Sequence, residues 1–242
     1  MVSPAPRATW PLALLLVLGL CALPRSAQAQ PPSPELMAKL AATAARIDLM
    51  RTHASYSVEG RLEGFDTDGD TNSVKEMKAR VEADGTHAKV IVLSYLEDGE
   101  DKTSEGQKTA KEAADKRRDP KKLLRMPTLG SEQPRYLFDE AETDPAHPDR
   151  VRITFTPKVP AENTVEGSGW VDTVTGTVIS AGFKLSVTPM FVEFVHFTVE
   201  FGANTALGQA VSTVNVEGKG GFLFFRRHFR GVANVSGYRI VP

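Results

Sequence analysis

Cysteine is nearly absent: the 242 residues hold one, Cys21. That excludes a disulfide-stapled scaffold and a cysteine-rich metal site. Membrane-length apolar runs are missing as well. WPLALLLVLGLCAL (Trp10–Leu23) is too short and too early for a span. It follows a lone basic residue, Arg7, and precedes the small-residue pattern Ala27-Gln28-Ala29. This order predicts a secretory signal peptide over residues 1–29, cleaved before Gln30. Cys21, after Leu18-Gly19-Leu20, offers lipid anchoring as the alternative, although Leu is a poor residue to precede a lipidated Cys. Charge of one sign is lacking too. The formal net charge is −1, and removing Arg7 and Arg25 with the leader takes it to −3. Such a balance leaves no footprint for nucleic acid.

The motifs of common catalysis are also missing. Five histidines are scattered without HExxH or paired spacing, so no metal site is expected. There is no Walker A sequence and no G-x-G-x-x-G after a strand. Gly167-Ser168-Gly169 lacks the spacing of a nucleophile elbow. No catalytic residue and no cofactor follow from these patterns, and the chain reads as a non-enzyme. Scattered carboxylates have no spacing that would support a hydrolase. Export without disulfides fits a bacterial periplasm.

What is present is β alternation. Loss of 29 residues leaves 213, enough for one sizeable core. Ser33-Pro34-Glu35 reads as a helix start, with Leu36, Leu40, Ala44 and Ile47 at helical spacing to about Arg51. From Ser55 the period becomes two. Tyr56, Val58 and Leu62 share a strand face; Met77, Ala79 and Val81 follow, then Ala88 to Leu96. Residues 97–133 form a charged excursion with a helix expected over Glu105 to Arg118, stopped at Asp119-Pro120. Strands resume at Pro134. Phe155, then Ile179 with Phe183, then Phe197 with Phe201 fall on apolar faces. Gln209 to Val216, Phe222 to Arg230 and Val232 to Val241 read as three further runs. About ten strands with one-sided alternation predict a strongly curled antiparallel sheet, wet on one face.

GSGWVDTVTGTVISAGF (Gly167–Phe183) reads as strand, turn and return strand, with Asp172 bonding loop amides and Gly176 supplying a positive φ. Asp66, Asp68 and Asp70 have calcium-loop spacing, but Thr71 and Met77 stand where Gly and Glu are required, so an acidic hairpin loop is expected. Gly221 to Gly231 mixes Phe with Arg226, Arg227, His228 and Arg230. Arg226 and Arg230 are candidates for anionic headgroup contact at a rim. The basic cluster Lys116, Arg117, Arg118, Lys121, Lys122 and Arg125 reads as a solvated helix end and loop.

Phe155-Thr156-Pro157, the G-x-x-W-V-D-x-x-T-G hairpin over Gly167 to Gly176, Phe-rich strands and a final Tyr-containing strand together resemble the LolA-like periplasmic lipoprotein-carrier superfamily. That superfamily includes lipoprotein-sorting proteins and relatives that act as anti-sigma regulators. The resemblance covers Pro134 to Val241 best. It implies a mainly β (α+β) half-barrel over residues 30–242, with an N-terminal helix and residues 97–133 as a charged lid on the concave side. It also implies a periplasmic monomer that shields lipid or the acyl chains of an acylated protein without chemistry. The alternative is an envelope sensor or scaffold of the same fold that binds a protein partner. Strand alternation offers Phe155, Ile179, Phe183, Phe197 and Phe201 as lining, with Trp170 beside them. A cavity wall and a filled core look alike in sequence.

Overall fold

The computed structural model describes residues 30–116, 124–222 and 225–241, with side chains for all of these except 113–116 and 222–227. The expected leader, Cys21 and most of the basic cluster lie outside the described residues.

The chain opens with helix α1 (Pro34–His53). Ser33 caps it by accepting from the Leu36 amide at 3.2 Å, Pro34 occupies the first turn, and Glu35 pairs with Lys39 at 2.9 Å. Leu36, Leu40, Thr43, Ala44 and Met50 are buried. Met50 takes the buried place that the spacing assigned to Ile47, which is half-buried. The helix runs straight into β1 (Ala54–Phe65), followed by β2 (Thr71–Ala83), β3 (Ala88–Glu97) and the two-residue β4 (Glu100–Asp101). Helix α2 (Thr103–Lys116) starts the charged excursion. It lies along β3, donating from Gln107 Nε2 to the Val92 carbonyl and accepting the Tyr95 amide at Thr103 Oγ1.

A meander follows: β5 (Tyr136–Asp144), β6 (His147–Pro157), β7 (Val165–Asp172), β8 (Thr177–Leu185) and β9 (Val192–Glu200). A small hairpin, β10 (Ala203–Thr205) with β11 (Gly208–Ala210), stands apart. Strands β12 (Thr213–Phe222) and β13 (Phe225–Ile240) complete the fold. Eleven strands form one open, curved antiparallel sheet in the order β4-β3-β2-β1-β13-β12-β9-β8-β7-β6-β5. The mainly β half-barrel class expected from the sequence is the observed one. The last two expected runs are instead one strand. Gly231 is no turn: it sits inside β13 opposite Val216 and Leu62, and β12 and β13 pair from Thr213 opposite Asn234 to Phe222 opposite Phe225.

This order dictates the path of the excursion. Strands β4 and β5 are the two edges, so the excursion between them joins opposite edges of the sheet. Helix α1 crosses one end of the sheet. It meets the β7–β8 turn, where a Cβ on Gly176 would collide with Lys39, and the β2–β3 turn, where the Gly85 amide donates to the Thr52 carbonyl at 2.9 Å. Its first half packs Leu36 and Leu40 on Val151, Ile153 and Val171; its last turn packs Met50 on Ala54 and Ala210. The opposite sheet face carries ion pairs such as Arg61–Glu76 (2.7 Å), Lys184–Glu166 (2.9 Å) and Lys219–Glu193 (3.1 Å). Exposed pairs contribute about 0–1 kcal/mol each, so they solvate that face more than they hold the fold.

Candidate functional site

The hairpin of Gly167 to Phe183 is β7, a turn and β8. Asp172 Oδ1 accepts from the Thr175 amide (2.8 Å) and hydroxyl (2.9 Å), and Gly176 has φ 70°. Hydrogen bonds, led by that from the Thr175 amide, hold the Asp172 carboxyl below its usual range. The same loop abuts α1, with Lys39 Nζ donating to the Thr173 carbonyl at 3.4 Å. The turn therefore sets the height of α1 above the sheet, and the space between them is the site.

That space is an apolar cavity of about 220 Å³. Its floor is Ile153 and Phe155 from β6, Val165, Gly169 and Val171 from β7, and Val178, Ala181 and Phe183 from β8. Leu40 of α1 forms one wall, Val199 and Phe201 another. Its cover is a strap of the excursion, Leu124 to Thr128. The strap is held at its far end. Leu129 is buried, and Gln133 Nε2 donates to both the Met37 carbonyl of α1 and the Thr128 carbonyl, each at 2.9 Å.

Phe155, Phe183 and Phe201 stand on the cavity wall. Phe197 is stacked on Phe183 at 5.4 Å between ring centroids, one strand away on the same face, and does not line the cavity. Ile179 sits at a bulge: Trp170 faces Ser180 while Val171 faces Val178, so Val178 takes the wall position that strict alternation would give Ile179. Trp170 lies on the opposite face, with the Arg152 guanidinium 5.9 Å from its ring. Arg230 also points to that face, pairing with Glu217 at 3.1 Å and lying 5.8 Å from the Phe65 ring. Arg226 falls among residues 222–227, whose side chains lie outside the described residues. The acidic loop closes on itself, Asp66 Oδ1 accepting the amides of Asp68 and Asp70 at 3.0 Å.

Arg125 is the residue that sequence reading missed. Counted there among solvated basic residues, it lines the cavity and pairs with Glu132 at 3.0 Å. Glu132 is 5% exposed and also receives Arg135 at 2.6 Å. Burial pushes the Glu132 carboxyl up, but the Arg135 and Arg125 guanidiniums outweigh it and hold the group below its usual range. The spacing Arg125, Glu132, Arg135 was visible; that the carboxylate between them would be buried was not.

Beyond the cavity the same face continues with no helix over it among the described residues. Two cross-strand rows run outward: Ala181, Val199, Val214, Ala233 and Gly60, and Phe183, Phe197, Val216, Gly231 and Leu62. These side chains are half-buried in β9, β12, β13 and β1. Phe229 lies across Gly218, where a Cβ would meet its ring, so the aromatic lies down along the sheet and leaves a shallow trough.

No family model matches the chain, and no curated protein matches it. Among solved structures it is similar to a DUF1329 family protein from Desulfovibrio piger (11% identity, 86% of this chain and 94% of that one, TM-score 0.41). It is also similar to a LolA superfamily protein from Nitrosomonas europaea (9%, 85% and 94%, TM-score 0.38). A third similar structure is MucB in complex with MucA(peri) (14%, 85% and 94%, TM-score 0.23). Among the described residues no helix is long and apolar enough to cross a membrane.

Proposed function

We propose that this chain is an exported, periplasmic, non-catalytic binding protein that holds an acyl chain between its sheet and the strap at 124–128. The observation that carries the reading is the cavity itself: an apolar wall of Phe155, Phe183, Phe201 and aliphatic neighbours, closed by the strap at 124–128. Its volume, about 220 Å³, is below the roughly 300–1,000 Å³ of drug-sized ligand pockets. One chain segment suits it; several chains together would need the strap to lift and the trough over β9, β12 and β13 to take part. Each methylene removed from water contributes about 0.8 kcal/mol. Among the described residues the wall offers Arg125 and Thr128 as its polar side chains and no nucleophile with a base, which supports binding without chemistry.

A protein-binding scaffold is the second reading, favoured by one observation. Edge strand β3 has only the two residues of β4 as a strand partner on its outer side, where α2 also takes the Val92 carbonyl and the Tyr95 amide, and it exposes Val90 and Leu93. Such an edge is a template for an added strand.

Native mass spectrometry with lipid extraction, on protein released from a periplasm without strong detergent, separates the two. Near-stoichiometric acyl species are expected. A clean apo mass that is unchanged after adding lipids or acylated peptides would overturn the acyl-binding reading, and a stable lipid-free protein complex would favour the scaffold.

A further inference from the structure

We propose that the cavity selects an amphiphile with one acyl chain and an anionic end, and that Arg125 receives that end. The proposal rests on the acyl-binding reading and adds to it the headgroup chemistry.

Arg125 is the one charged side chain on the cavity wall among the described residues. It sits on the strap with its side chain 47% exposed, while Ile153, Phe155, Val165 and Val171 of the floor are buried. A chain lying along Phe155 and Phe183 would carry its polar end out past this guanidinium. A planar guanidinium pairs bidentately with carboxylate or phosphate, which a neutral alcohol cannot reproduce.

The present partner of Arg125 is built to release it. Glu132 is buried, and a buried carboxylate that loses its sole cation is strongly destabilised. Glu132 has a second cation: Arg135 Nη1 lies 2.6 Å from Oε2, while Arg125 Nη1 holds Oε1 at 3.0 Å. An incoming anion can take Arg125 while Arg135 still neutralises Glu132. Arg135 itself stays fixed, donating also to Asn163 Oδ1 at 3.2 Å. The exchange moves the strap's first residues, not its anchor at Gln133 and Met37.

The test uses the full mature chain and displacement of an apolar fluorescent probe by dodecanoate, dodecyl phosphate and dodecan-1-ol, below their micellar concentrations at pH 8. Wild-type protein is expected to bind at least one anion about tenfold or more tighter than the alcohol, the span of a charge-assisted hydrogen bond. The tighter anion distinguishes a fatty-acid source from a phospholipid one. In Arg125→Gln that anion is expected to fall to the affinity of the alcohol, and Arg125→Lys to lie between. Equal binding of anion and alcohol by the wild type, which needs no variant, overturns the proposal and leaves the acyl-binding reading standing. So does an anion preference that survives in Arg125→Gln. No displacement by any of the three overturns both.

Discussion

Strands β6 to β8 and strands β9, β12 and β13 present the same kind of face, with Val, Phe, Ala and Gly alternating against polar residues. They differ in what lies over them. The first group is closed by α1 and the strap, and Val151, Ile153, Phe155, Val165 and Val171 are buried. Among the described residues nothing comparable covers the second, and Val214, Val216 and Phe229 stay half-buried. Residue type does not make one half a core and the other a trough. Chain path does, because the strap at 124–128, part of the connection between the β4 and β5 edges, lies over β6 to β8.

The comparison predicts unequal sensitivity. Leu40→Ala, at a site with no exposure, is expected to cost about 2–5 kcal/mol. Val216→Ala in the trough is expected to cost about 1 kcal/mol or less, as half-exposed sites do. Urea unfolding of both variants measures the difference; equal losses would mean that the trough is covered in solution.

Gly176→Ala comes next. The residue combines φ 70° with a site where a Cβ collides with Lys39. About 1–3 kcal/mol of strain is expected, and α1 should lift from the β7–β8 turn. Thermal unfolding, together with amide exchange in the first half of α1, reads both consequences. Loss of stability without faster exchange there would remove the turn's role in setting the helix.

The smallest effect is the pH response of the strap. Glu132 is held below its usual carboxylate range in the fold, so its contribution is present above the unfolded pKa, near 4.5, and is lost as pH falls through the lower folded value. Below about pH 4.5 the wild type should lose stability, and Glu132→Gln should lose less over the same interval. Parallel Tm–pH curves for the two proteins would show that Glu132 does not fasten the strap.

Much of this architecture was legible before any coordinates. The capped helix at Ser33-Pro34, the first three strands, the turn at Asp172 to Gly176 and the charged excursion all follow local rules of capping, period and turn chemistry. Three features did not. The bulge at Ile179 exchanges it for Val178 on the wall, and nothing in the alternation of β8 announces it. The merging of two runs through Gly231 depends on neighbours in β1 and β12, since a glycine there reads locally as a break. The role of Arg125 depends on a contact with Glu132, a charged residue whose burial its own segment does not announce. In each case a tertiary neighbour decides what a local pattern leaves open.

The central claim is that the space between α1, the strap and β6 to β8 is a binding cavity and not a packing gap. Ala181 lines it and is only half-buried, so Ala181→Phe places a ring in the space. The most direct measurement is the affinity of this variant for dodecanoate and dodecan-1-ol beside that of the wild type, with unfolding curves to show that the fold persists. The cavity account predicts that binding of both ligands is lost while the Tm holds or rises. Undiminished binding by a folded Ala181→Phe protein would contradict it and move the site to the uncovered trough.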